Sequence, residues 1–68
     1  MRPPRIAIRY QQWYDGPWRV YAPMYKGKPY ESYEHVIDDV VDVAGSICGE
    51  IEKGYVDING EFHVGDLP

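Results

Sequence analysis

The sequence predicts an α+β domain in which a small antiparallel sheet of two hairpins packs on one amphipathic helix, in the order strand, strand, helix, strand, strand. Three observations predict it. Apolar and polar residues alternate with a period of two over residues 5–10 and 18–22. The apolar residues of 33–51 recur at about 100° per residue. The turn formers Asp15-Gly16-Pro17 and Asn59-Gly60 fall where two hairpins need connections. A chain of 68 residues makes a single domain over residues 1–68. Residues 1–4 read as a flexible arm, because Pro3 and Pro4 deny a strand its donors.

Regular structure is expected from Arg5. Ile6, Ile8 and Tyr10 fall on one face and Arg5, Ala7 and Arg9 on the other, the pattern of a half-buried strand. After the turn, Trp18, Val20 and Ala22 are expected on the inward face of a second strand. Residues 23–29, with two prolines and Gly27, read as a connecting loop that holds neither a central strand nor a helix. Ser32 then suits a helix N-cap, and Glu34 puts a carboxylate in the first turn, where the dipole favours it. Tyr33, Val36, Ile37, Val40, Val41, Ala44, Ile47, Cys48 and Ile51 share one arc of the wheel. Glu31, Glu34, His35, Asp38, Asp39 and Asp42 share the opposite arc. A strand would mix Asp38, Val40 and Asp42 on one face, so the period selects a helix ended by Gly49 or Gly54.

Residues 55–64 form the second hairpin. A two-residue Asn59-Gly60 loop would set Val56 against His63 and Ile58 against Glu61, mixing apolar and charged residues. A three-residue loop, Ile58-Asn59-Gly60 with Gly60 left-handed, sets Val56 against Phe62 and turns Tyr55, Asp57, Glu61 and His63 outward. This second register is the expected one.

A domain of this size buries only about 60% of the surface its unfolded chain exposes, so modest stability is expected. The one cysteine, Cys48, cannot form an internal disulfide, which points to a reducing cytoplasm and to a small apolar core role for its thiol. No run approaches the roughly 18 apolar residues of a membrane span, and the amino terminus lacks a signal-peptide core, so a soluble chain off the membrane is expected. The net charge of −4 hides an asymmetry. Residues 1–28 carry six Lys or Arg against Asp15, for +5, whereas residues 29–68 carry ten carboxylates against Lys53, for −9.

Neither catalysis nor a cofactor is expected. His35, His63 and Cys48 lie on unrelated elements, short of the three or four ligands a metal needs. Ser32 and Ser46 sit in no nucleophile motif, Cys48 has no activating cation nearby in sequence, and the seven glycines form no phosphate-cradling loop. What remains is binding. Glu31, Glu34, Asp38, Asp39 and Asp42 line a helix with no interleaved Lys or Arg, so they repel one another by roughly 0.2–0.5 kcal/mol per close pair where an ordinary surface mixes signs. Together with Asp57 and Glu61, they are candidates for docking on a protein complex with a basic nucleic-acid-binding groove. The alternative set is the aromatic and basic half, Arg9, Trp13, Tyr14, Arg19 and Tyr21, as a sheet face for a protein partner or for nucleic acid bound directly. On it, Arg9, Tyr21 and Ala7 are expected on the side the helix leaves bare. Self-association through a sheet edge is a third possibility, and both monomer and homodimer fit the sequence.

In size, charge and inferred topology over most of its length, the chain resembles the small phage-encoded inhibitors of host defence, notably anti-CRISPR proteins. The resemblance rests on no motif and transfers no residue. It implies a stoichiometric blocker in the cytoplasm of a bacterial host cell. Residues 5–44, with the Asp15-Gly16 turn, Trp18-Arg19-Val20-Tyr21-Ala22-Pro23 and a helix of acidic start, are similar to the amino-terminal half of HicB-type antitoxins. The chain departs from that family where residues 55–64 read as a hairpin in place of a DNA-binding segment.

Overall fold

The computed structural model describes residues 4–68. The arm expected over residues 1–4 lies outside the described residues except for Pro4, which is exposed and belongs to no strand. The chain forms β1 (Arg5–Gln11), β2 (Trp18–Tyr21), β3 (Met24–Tyr25), β4 (Lys28–Pro29), α1 (Tyr33–Ala44), β5 (Ile51–Val56) and β6 (Phe62–Val64). Strands β2-β1-β5-β6 make one antiparallel sheet, and β3 and β4 make a separate two-stranded ribbon. The α+β plan holds, with this ribbon added inside residues 23–29, where a loop was expected. Lys26 and Gly27 both take positive φ, 51° and 77°, and connect its strands.

The core forms where the two periodicities meet. Ile6, Ile8 and Tyr10 point from β1 toward α1, which answers with Val36 and Val40, one turn apart. Ile8, Val36 and Val40 are fully buried, and each such side chain contributes about 1.5–3 kcal/mol. Tyr21, Tyr30, Tyr33, Ile37 and Ile47 pack around them. Val41 and Ala44, on the expected apolar arc, are exposed, so the buried stripe is narrower than the pattern suggests. Ser32 takes the N-cap position in extended conformation, without a side-chain cap bond.

The helix stops at Ala44, not at Gly49 or Gly54. Gly45, at φ 89°, donates to the Val41 carbonyl and turns the chain away. The spacing of Ile47, Cys48 and Ile51 does fit a helix, but Ile51–Val56 instead pairs with Tyr10 through Arg5. A longer helix would leave that edge of β1 without hydrogen-bond partners. Cys48, expected in the core, lies in the exposed connection.

Two faces are the reverse of expectation, for one reason. Residues directly opposite in an antiparallel pair share a face, so pairing with β1 decides the side. Ile8↔Tyr21 and Arg9↔Val20 put Tyr21 on the helix side and leave Trp18 and Val20 on the far side, 39% and 52% exposed. In the second hairpin, Val56 does pair with Phe62, and Gly60 has φ 85°, as the three-residue loop requires. Yet Ile6↔Tyr55 turns Tyr55 and His63 to the helix side and Val56 and Phe62 away from it. There Phe62 lies across Gly54, where a Cβ would stand 2.5 Å from its Cζ and against the His63 carbonyl oxygen. Ala7 and Val56 are buried on this far side, so the sheet has a thin second layer of its own. No helix among the described residues is long and apolar enough to cross a membrane.

Candidate partner-binding surfaces

Glu34, Asp38 and Asp42 follow one another at i, i+4 on α1 and form a single exposed stripe, with Glu31 exposed just before the helix. Among the described residues the ion pairs are Arg9–Glu52 and His63–Asp57, so no cation stands within 4.0 Å of the stripe. Asp39 behaves differently. It is half-buried and accepts the Tyr21 hydroxyl at 2.5 Å, which ties β2 to α1. Burial first, and the Asp39 carboxylate second, push the Tyr21 phenol up to about 12. The Tyr30 phenol also moves up, by desolvation and then by the charge of Asp39. Asp39 is therefore engaged inside the fold, while its four acidic neighbours face solvent.

The β3–β4 ribbon stands beside this stripe and encloses an open groove of about 650 Å³. The ribbon and its exit supply Tyr25, Lys26, Lys28, Pro29 and Tyr30. The helix and its approach supply Glu31, His35, Asp38, Asp39 and Asp42. The rings of Tyr25 and Tyr30 meet at 90° with centroids 6.4 Å apart, and Lys26 Nζ lies 5.4 Å from the Tyr25 ring centre. Tyr30 was not among the sequence candidates. It joins the groove because the ribbon folds back over the start of α1, a contact that no periodicity announces.

Asp57 and Glu61 do not line this groove, so the acidic candidates divide between two places. At the β5–β6 turn, Asp57 Oδ1 accepts the backbone N–H groups of Asn59 at 2.8 Å and Glu61 at 3.0 Å. Its Oδ2 lies 2.7 Å from His63 Nε2, and the His63 ring stacks on Tyr55 at 5.1 Å. The His63 hydrogen bond, with the two backbone donors, holds the Asp57 carboxyl below its ordinary range. Asp57, Glu61 and His63 offer ligand atoms within 4.8 Å of one another. His63 is thus not isolated from the carboxylates, as its position in sequence suggests; the hairpin register brings it to them. The acceptor positions of Asp57 are already engaged in closing the loop.

The alternative set does not assemble on one face. Trp13 and Tyr14 are exposed in the β1–β2 connection, off the sheet, and Arg19 shares a face with Tyr10 on the helix side. Tyr21, expected on the bare face, points to α1 instead. Arg9 alone is where it was expected. Its Nη2 donates to both Glu52 carboxylate oxygens at 3.1 Å, and its guanidinium lies 4.7 Å from the Trp18 ring centre and 5.8 Å from that of Phe62. Its Nε is buried without a partner, and the charge-assisted contacts and the stacking offset that cost. The far face is thus an aromatic row around an internal ion pair, flanked by exposed Val20 and Val64.

Comparison of the chain with protein-family models, with characterised proteins and with solved structures finds no match.

Proposed function

We propose that this chain is a non-catalytic binding protein, a stoichiometric blocker that presents its acidic helix face to a basic nucleic-acid-binding site of a protein complex in a bacterial cytoplasm. The observation that carries this reading is the stripe Glu31, Glu34, Asp38 and Asp42, exposed and without an ion-pair partner among the described residues. Among the described residues no cation of the basic half forms an ion pair with it, although Lys26 and Lys28 stand across the groove. Arg9 is held by Glu52, and the Arg5 Nε donates to the Ala22 carbonyl at 2.8 Å. Spaced carboxylates on a rigid helix imitate a phosphate row, steer association with a basic groove and make the affinity salt-sensitive. At the second hairpin Glu61 adds an exposed carboxylate of the same kind, whereas Asp57 is engaged in closing its loop.

The test is capture from bacterial lysate at low and high salt, followed by competition. The captured protein should bind nucleic acid, and nucleic acid should displace the chain. Glu34→Lys, Asp38→Lys and Asp42→Lys together move the net charge from −4 to +2, at two charges per exchange, and should abolish capture with unchanged far-ultraviolet dichroism. Capture that survives the triple exchange, or a partner indifferent to nucleic acid, would remove the reading.

One observation favours a second reading. Trp18, Val20 and Val64 leave apolar surface exposed on the far face of the sheet, a pattern suited to a protein partner. Amide hydrogen exchange of the complex separates the two, by protection over α1 or over β2 and β6.

A further inference from the structure

The groove between the β3–β4 ribbon and α1 has two kinds of wall, and both select the same chemistry. On one side the rings of Tyr25 and Tyr30 meet at a right angle, edge to face. On the other stand Glu31, Asp38, Asp39 and Asp42. An aromatic face carries negative charge density, and an ionised carboxylate only accepts hydrogen bonds, so each wall attracts a cation that carries N–H donors. Four carboxylates against Lys26 and Lys28 disfavour an anion. A volume of about 650 Å³ falls within the roughly 300–1,000 Å³ of ligand clefts and far exceeds what a bare ion fills. Lys26, over the Tyr25 ring, and Lys28 also line the groove, and among the described residues neither lies within ion-pair distance of a carboxylate.

Guanidinium suits this shape better than ammonium. It is planar, it stacks on an aromatic ring, and its fork of donors can reach two acceptors at once; Asp38 and Asp42 lie one helical turn apart on the same face. We propose that the groove is a docking site for an arginine side chain presented by a protein partner. This rests on the reading of the acidic face as the partner-binding surface. It adds that the face recognises a shaped cation and does not act by charge alone.

The experiment is a titration of the ¹⁵N-labelled chain with N-acetyl-arginine methylamide, followed by amide chemical shifts. The lysine and citrulline analogues serve as controls, citrulline being the uncharged near-isostere. Arginine should produce saturable shifts centred on β3, β4 and α1, lysine weaker ones, and citrulline none. Tyr25→Ala leaves the net charge unchanged and alters an exposed ring, so the fold is not at stake. It should weaken arginine binding by about fivefold, as loss of one cation–π wall implies. Lys26→Ala, which removes a competing cation from that ring, should tighten it. Shifts that never saturate, that spread equally to Asp57 and Glu61, that are equal for lysine and arginine, or that ignore Tyr25→Ala would each overturn the proposal. The two failures are distinguishable. Capture abolished by the triple exchange with no arginine binding removes the docking site and leaves the acidic-face blocker. Capture that survives the triple exchange removes the blocker and, because the exchange takes Asp38 and Asp42 from the groove, the partner's arginine as its occupant as well.

Discussion

Asp38→Lys should make the protein more stable and a worse binder. Asp38 sits between Glu34 and Asp42, four residues from each, so it takes part in two like-charge pairs on the exposed face of α1. One exchange removes both repulsions and creates two attractions, four contributions of roughly 0.2–0.5 kcal/mol each. The attraction to Asp42 has the weaker orientation, with lysine toward the amino end, and Lys26 and Lys28 face the new charge across the groove. The expected gain is therefore about 1 kcal/mol, equivalent to about 4–8 °C in Tm for a domain of this size. Thermal unfolding followed by dichroism at low salt measures it, and the gain should shrink at 1 M salt, where the Debye length is about 3 Å. Binding to the captured partner should fall about tenfold or more, because a repulsive contact replaces an attractive one at the centre of the face. An unchanged Tm at low salt would show that the carboxylates do not repel as argued. A higher Tm with undiminished binding would show that the stripe is only a solvated surface, and the proposed function would go with it.

The elements that local patterns control were legible in the sequence. Strand β1 alternates within itself, Val36 and Val40 repeat at one turn, and Asn59-Gly60 dictates a left-handed residue that fixes Val56 against Phe62. What was not legible depends on partners distant in sequence. Alternation says that Trp18 and Val20 share a face but not which one; the register with Ile8 and Arg9 decides it. The same holds for Tyr55 and Val56. The end of α1 was hidden because residues 47–51 satisfy a helical spacing while β1 needs a second strand beside it. For the site, the i, i+4 carboxylates announced the stripe. The groove went unseen because the ribbon turns on Lys26 in a left-handed conformation, a residue with no preference for it. Capture of Asp39 by Tyr21 follows from the inverted face of β2, and it withdraws one carboxylate from a set that sequence alone treats as equal.

Two further outcomes test the frame that holds these surfaces. Gly54→Ala forces a Cβ against Phe62 and the His63 carbonyl, so β6 must move; stability should fall by about 2–3 kcal/mol, read as a lower urea midpoint, and a change below about 0.5 kcal/mol would contradict the close approach. Tyr21→Phe removes the hydroxyl that Asp39 accepts and should cost about 1 kcal/mol at pH 7, toward the low end for a charged acceptor because the pair is only half-buried. The pH dependence then tests the raised phenol, which burial and then Asp39 push up. The folded phenol titrates near 12 against an ordinary 10, so its contribution is complete below pH 10 and is lost as pH rises from there toward 12. The native chain should therefore lose more stability than Tyr21→Phe across that interval, and their urea midpoints should converge. Midpoints that stay parallel up to pH 12 would mean that the folded phenol is raised neither by burial nor by Asp39, and the half-buried contact between β2 and α1 would be refuted with it.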